Sequence, residues 1–296
     1  MPMKSQSAME YLMTYGWAIL AIAIVMVSLY SLGIFNVGTL QPTATPGSCQ
    51  VVRTAAQISL AGQCNNLMPR YVAKFPNTLW PGKAVINVSG LSSWNPSGNV
   101  TVTLFVYSTN NYNTYGGPYP EILYKGTTGQ GFDFESRNNN ESMGIYGTTP
   151  GGCTETGSHV KNVTWHQFVG VYNGSYYALY INGVKIFTCA ATGLPNLGAG
   201  PFYLGAGGYY CSPGLCYGYT GYLSNVQIYN TSLDSATIKA LYQEGIGGAP
   251  IDVRHLIAWW PLNGNGNDYS GNNYHGIPVN VIWSSNWYST YKAPTS

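Results

Sequence analysis

Charge is what this 296-residue chain has least of. Charged side chains make up 7% of it, 12 basic against 10 acidic, for a net charge of +2. No cluster of Lys or Arg appears past Lys4, so the electrostatic footprint of a nucleic-acid binder is missing. No G-x-S-x-G elbow occurs, which removes the signature of a nucleophilic serine hydrolase. No C-x-x-C or H-x-H accompanies the six cysteines, and His159 and His166 carry no cysteine spacing, so zinc lacks its usual ligand pattern. What the chain does have is 45% apolar residues, 26 tyrosines and 37 glycines. That excludes a disordered polymer and fits a turn-rich β protein with one sizeable core.

No charged residue occurs from Tyr11 to Val52, and the apolar part of that stretch, Trp17 to Phe35, is long enough to span a bilayer as a helix. Ahead of it lies a short leader with Lys4, then Gln6, Ser7 and Glu10. A secretory signal peptide has a shorter apolar core directly behind its basic residues and ends in a small-residue cleavage site. This segment does not follow that plan. Basic leader, Gln, Glu and apolar run together resemble the class III signal peptide of archaeal type IV pilin-like proteins. The resemblance implies cleavage between Ser5 and Gln6 by a prepilin-type peptidase and retention of the helix on the mature chain. It also implies that Glu10 pairs with the new α-amino group of a neighbouring subunit. Ser5 stands where the family often has Gly, but is also small. Without assembly, Glu10 is a first-turn acid favoured by the helix dipole. Lys4 on the leader side places the remainder outside the cell by the positive-inside rule.

Gly33, Pro42, Pro46 and Gly47 end the helix and open a linker, giving expected segments of leader 1–5, hydrophobic helix 6–35, linker 36–48 and head 49–296. The head reads as short strands between Gly/Asn/Pro turns, from A-V-I-N-V and V-T-V-T-L-F-V-Y through to Y-L-S-N-V-Q-I-Y and H-L-I-A-W-W. Asn173-Gly174 and Asn182-Gly183 are hairpin-turn dipeptides. One helix is expected late, with Ser232 as N-cap, an Ile238, Leu241, Tyr242 stripe and a stop at Gly245. The fold class is therefore all-β, an antiparallel sandwich behind a single N-terminal hydrophobic helix.

V-T-W-H-Q-F-V-G-V-Y-N-G-S-Y-Y-A-L-Y-I-N-G-V-K resembles the central hairpin of laminin G-like, concanavalin A-type jelly rolls, and the resemblance implies that the antiparallel sandwich is a jelly roll. G-Y-L-S-N-V-Q-I-Y followed by the helix matches that family's closing strand. W-W-P-L-N-G-N-G-N-D-Y-S-G-N resembles the segment that opens such domains, yet here it follows the helix. Residues 250–296 are expected to return and supply the first-strand equivalent, the alternative being a truncated, dangling repeat.

The family hosts lectins and glycanases. Its β-glucanases carry E-x-D-x-(x)-E on one strand, and no E-x-D occurs here. Asp133 and Glu135 alternate onto one strand face, the ordinary pattern of a solvated face. The chain is accordingly read as a binding protein and not an enzyme. The Tyr-dense loop offers Tyr209, Tyr210, Tyr217, Tyr219 and Tyr222 as ligand contacts, since tyrosine presents a stacking face and a hydroxyl at low entropic cost. The alternative is that these rings pack the sandwich edge. Trp94, Trp259, Trp260, Trp283 and Trp287 are expected in the core. Asp268, in a turn rich in Asn and Gly, is the calcium candidate, against a metal-free Asx-type turn.

An even cysteine count in an exported protein implies disulfides, with nearest-neighbour pairing Cys49–Cys64, Cys153–Cys189 and Cys211–Cys216 expected. N-x-S/T sequons occur at Asn87, Asn99, Asn140, Asn162, Asn173 and Asn230, in a composition rich enough in these residues to generate most of them by chance. The expectation is a membrane-anchored surface protein, a filament subunit whose head binds polysaccharide or glycoprotein. A non-polymerising tethered binder is the alternative, and an exported glycanase is the third reading.

Overall fold

The computed structural model describes residues 8–31, 43–65, 68–77, 83–95, 98–109, 120–127, 130–137, 140–146, 153–154, 163–191, 200–207 and 217–294. The chain divides into two compact units, Met1–Pro42 and Thr43–Ser296.

The first unit is built on α1 (Ala8–Ser31). Its sequence leaves no polar stripe: Trp17, Ile19, Leu20, Ile22 and Ile24 point in different directions around the axis, and all are exposed. Ser28 satisfies its hydroxyl within the helix, donating to the Ile24 carbonyl at 2.8 Å. Among the described residues no helix is long and apolar enough to cross a membrane.

The second unit is a β-sandwich. Among the described residues one large sheet contains β6 (Val85–Asn87), β8 (Glu121–Thr127), β9 (Gln130–Arg137), β10 (Asn140–Tyr146), β11 (Cys153–Thr154), β15 (Phe202–Leu204) and β20 (Ile277–Val279), in the order β11-β10-β9-β8-β15-β6-β20. The short pair β16 (Ala206–Gly207) and β17 (Tyr217–Gly218) joins it through β8, making nine strands. The facing sheet contains β5 (Val72–Pro76), β7 (Val100–Ser108), β12 (His166–Tyr172), β13 (Tyr176–Ile181), β14 (Val184–Ala190), β18 (Thr220–Tyr229) and β21 (Ile282–Ser284), ordered β14-β13-β12-β7-β18-β5-β21. β19 (Leu256–Trp260) pairs with the second half of β18, making eight. The core between the sheets gathers Phe75, Ile86, Leu104, Phe134, Phe168, Phe202 and Trp260, among others.

Local chemistry explains the turns. Asn182 (φ 51°) and Gly183 (φ 77°) are both left-handed, as the two-residue hairpin between β13 and β14 requires. In the β12–β13 turn the Asn173 side-chain oxygen accepts from the Ser175 and Tyr176 amides.

The late helix, α2 (Ser235–Glu244), keeps its expected stripe, with Ile238 and Leu241 buried, and stops at Gly245. Its N-cap is Asp234 and not Ser232: Asp234 Oδ1 accepts from Thr237 N at 2.7 Å. Buried Thr101 explains the shift. Its hydroxyl donates to Thr231 O and accepts from Leu233 N, holding residues 231–233 out of the helix.

The outer face of the eight-stranded sheet is covered. A second apolar cluster joins Val169, Val171 and Tyr180 to Ile238 and Leu241 of α2, to Trp259, and to Val51. Val51 belongs to a hairpin of β2 (Cys49–Arg53) and β3 (Ile58–Gly62), flanked by the parallel pair of β1 (Thr43–Ala44) with β4 (Met68–Pro69). The Arg53 guanidinium fastens the hairpin, donating to Ser270 O at 2.8 Å, Leu256 O at 2.6 Å and Val253 O at 3.2 Å.

Residues 250–296 return to the sandwich and do not dangle. β19 lies against β18, β20 against β6 in one sheet, and β21 against β5 in the other. Asn280 (φ 54°) sits in the two-residue step that carries the chain from sheet to sheet.

Candidate functional site

The nine-stranded sheet carries the densest chemistry on its outer face. In β9, Phe134 faces the core, so Asp133 and Glu135 point to the other side. β8 pairs with β9 so that Glu121 lies opposite Glu135 and Tyr124 opposite Asp133, with a register shift between Glu121 and Leu123. That bulge at Ile122 turns Glu121 onto the face of the other two acids. Oxygen atoms of Glu121, Asp133 and Glu135 all lie within 4.8 Å of one another. The three residues are 5%, 3% and 2% exposed. The solvated strand face expected for Asp133 and Glu135 is therefore corrected to a buried acid cluster. Glu121 is a member that the spacing of residues along one strand does not show.

Carboxylates this close and this dry are favoured by sharing a proton or a cation, or by hydrogen-bond donors around them. As acceptors they suit hydroxyl-rich ligands, and as hard oxygen donors they could hold a divalent cation. Beside them, Gly207 of β16 leaves no room for a side chain: a Cβ there would come within 2.5 Å of Tyr124 Cβ and 3.0 Å of Glu121 Cγ. Gly218 of β17 pairs directly with Glu121. The strand stubs that bound the Tyr-dense loop thus abut the acid cluster.

On the core side of β8, Lys125 is fully buried and donates at 2.7 Å to both Ser92 O and Gly200 O. Burial lowers its pKa to about 8.

The five tyrosines do not form one platform. Tyr209 and Tyr210 lie outside the described residues, and Tyr217 is half-buried on β17. Tyr219 is fully buried, its ring 6.2 Å from Phe75, which corrects it from ligand contact to core residue. Tyr222 belongs to the other sheet, half-buried against Tyr107 at 5.6 Å, with the Lys74 ammonium 5.7 Å from its ring centre. Trp259, Trp260 and Trp287 are buried, and Trp94 and Trp283 pack against the core.

Asp268 is an organiser of its own turn. Its Oδ1 accepts from Trp259 N and Ser270 N, and its Oδ2 from Ser270 Oγ and Tyr274 N, at 2.8–2.9 Å. A calcium ion would have to displace these donors, so the geometry favours the metal-free turn. Cys49 and Cys64 are joined, and Cys189 is also disulfide-bonded. The Cys153 side chain, Cys211 and Cys216 lie outside the described residues, as do Ser5 and Gln6. Glu10 falls within α1, its side chain outside what is described. Among the sequons, Asn99 and Asn230 are exposed and Asn87 and Asn173 half-buried. Asn162 and the Asn140 side chain lie outside the described residues.

Two facing, mostly antiparallel sheets define a jelly-roll sandwich. The chain belongs to the concanavalin A-like lectin/glucanases superfamily: a laminin G family model of that description matches residues 82–239, more than half of its length. No curated protein matches it. Among solved structures, a Bacteroides ovatus protein described as a candidate carbohydrate binding protein aligns over 83% of this chain and 67% of its own, at 17% identity and a TM-score of 0.54. A Ruminococcus gnavus sialidase CBM40 bound to α2,3-sialyllactose aligns over 59% of this chain and 100% of its own, at 16% identity and a TM-score of 0.46. A SAP-like pentraxin from Limulus polyphemus aligns over 61% and 84%, at 15% identity and a TM-score of 0.45. At these identities the likeness is one of fold.

Proposed function

We propose that this chain is a surface-held carbohydrate-binding protein, a pilin-like filament subunit that anchors by its N-terminal helix and presents the sandwich outside the cell. The observation that carries the binding half is the acid cluster on the outer face of the nine-stranded sheet, in a fold whose superfamily includes lectins. Sugar hydroxyls are the donors such acceptors suit, and the B. ovatus protein of similar fold is described as carbohydrate-binding. The anchoring half is supported by α1, whose apolar side chains are exposed all round, and by the apolar run that continues to Phe35. Gln6 and Glu10 stand in register for leader removal and subunit pairing.

Screening the full chain in detergent against immobilised polysaccharides and glycoproteins tests the binding half, with retention of at least one glycan class expected. Absence of binding to every class would contradict it. Glu10→Ala tests assembly, because a neighbour's α-amino group would lose its partner at a cost of several kcal/mol. Loss of filaments with the chain still membrane-attached is expected. Normal filaments containing the Glu10→Ala chain would exclude charge pairing, and wild-type cells without filaments would leave the tethered binder.

A second reading, glycan hydrolysis, draws on the same carboxylates, since glycosidases work with a pair of acids and the oxygens here approach within 4.8 Å of one another. Release of reducing ends from a bound polysaccharide, abolished by Glu121→Gln or Glu135→Gln, would establish it.

A further inference from the structure

Three sequons that lie far apart in sequence meet at one end of the sandwich. Asn99-Val100-Thr101 opens β7, Asn173-Gly174-Ser175 forms the β12–β13 turn, and Asn230-Thr231-Ser232 follows β18. β12, β7 and β18 are adjacent and antiparallel, with Val100 opposite Tyr172 and Thr101 opposite Tyr229. The three asparagines therefore flank one end of three neighbouring strands. Asn99 Nδ2 donates to Ser232 Oγ at 3.4 Å. A Cβ on Gly174 would stand 3.7 Å from Asn99 Oδ1.

We propose that this end is a cluster of N-glycosylation sites, with Asn99, Asn173 and Asn230 as acceptors. The inference rests on the reading that the head is exported. In each transfer a bond forms between Asn Nδ2 and C1 of the first sugar of a lipid-linked oligosaccharide. The bond from C1 to the lipid phosphate oxygen breaks, the lipid phosphate leaves, and Nδ2 gives up one proton. The acceptor atoms suit this. Asn99 and Asn230 are exposed, and Asn173 commits its Oδ1 to the turn while Nδ2 takes no part in it. An amide nitrogen carries two protons, so a glycosylated Asn99 keeps one to donate to Ser232.

Asn87 is the internal control. It lies in β6 between β15 and β20, opposite Tyr203 on one side and Ile277 on the other, and is half-buried. A sugar there would be crowded on both sides once β6 pairs with β15 and β20, so a chain that carried one could not complete this sheet and the folded head is expected bare at Asn87. The sequon hydroxyl of Asn99, on Thr101, is buried and bonded to residues 231 and 233, so transfer there must precede folding of this end. Glycans at this end would shield the start of α2 and its cap.

Glycopeptide mass spectrometry on the full chain from the cells that make it, paired with protease shaving of intact cells, tests the proposal. Sugar on Asn99, Asn173 and Asn230 with Asn87 unmodified is the expected result, each Asn→Gln change removing one glycan's mass. Modification of fewer than two of the three, or of Asn87, in a chain that the protease reaches would overturn the cluster and leave the exported reading standing. Bare asparagines in a chain shielded from the protease would overturn both.

Discussion

The two outer faces of the sandwich are built by the same strand alternation and end in opposite chemistry. On the eight-stranded sheet, outward Val169, Val171 and Tyr180 are sealed under α2 and the disulfide-closed hairpin. Several polar groups on that face pair with one another: Gln227 donates to Asn225 Oδ1 at 2.9 Å, and the Trp259 indole donates to the same oxygen at 2.9 Å. On the nine-stranded sheet, the outward residues of β8 and β9 include three buried acids. One face thus spends its side chains on stability, and the other gathers three carboxylates within 4.8 Å of one another. Bringing acids together is costly unless partners offset it, and the candidate site is placed where they meet.

That contrast can be broken from the covered side first. Asp268→Ala removes the acceptor of the four donors that fix the turn against β19 and should destabilise the head by roughly 3–5 kcal/mol. Denaturant titration measures it, and a loss below about 1 kcal/mol would mean that the turn holds without its carboxylate. Cys49→Ser/Cys64→Ser opens a 15-residue loop and should cost about 3 kcal/mol, read in the same way. Asp234→Ala removes the α2 cap for about 1 kcal/mol, visible as a shift in Tm of a few degrees. None of the three should change glycan affinity at temperatures where the head stays folded. A selective loss of binding would relocate the site to the covered face.

The pH dependence sharpens the view from the core beneath the acids. Lys125 titrates near 8 when folded and near its ordinary 10.5 when unfolded, so the unfolded chain binds more protons between these values. Its contribution to stability therefore rises as pH increases through that window. Burial raises Tyr229 and pushes Tyr291 up to about 12, so above pH about 10 the unfolded phenols ionise first and stability falls. Tm should peak between about pH 9 and 10, and Lys125→Met should flatten the rising limb. A steady decline in Tm from pH 8 onward in the wild type would contradict this account.

Much of the fold was legible because its signals are local. Asn182-Gly183 dictates its turn, and alternation in V-T-V-T-L-F-V-Y marks β7 whatever its neighbours are. The helix start moved by two residues because Thr101, 130 positions from Thr231 in sequence, ties down the preceding segment. The acid cluster was hidden for the same physical reason. Asp133 and Glu135 read as a solvated pair from β9 alone. Only register with β8, altered by the bulge at Ile122, adds Glu121, and burial of an outer face depends on what lies over it. Tyr219 misled in the opposite direction: a tyrosine in a Gly-rich stretch reads as a surface contact, yet it fills the core beside Phe75. A scan for acids on paired strands, and not on one strand, would have found the cluster.

The most direct test is a glycan-binding comparison of the full wild-type chain with the Glu121→Gln/Asp133→Asn/Glu135→Gln triple variant, alongside Tm for both. The account predicts at least tenfold weaker binding, about 1.4 kcal/mol, by a triple variant that still unfolds cooperatively. Equal binding by the triple variant at equal Tm would contradict it and remove the nine-stranded face as the site.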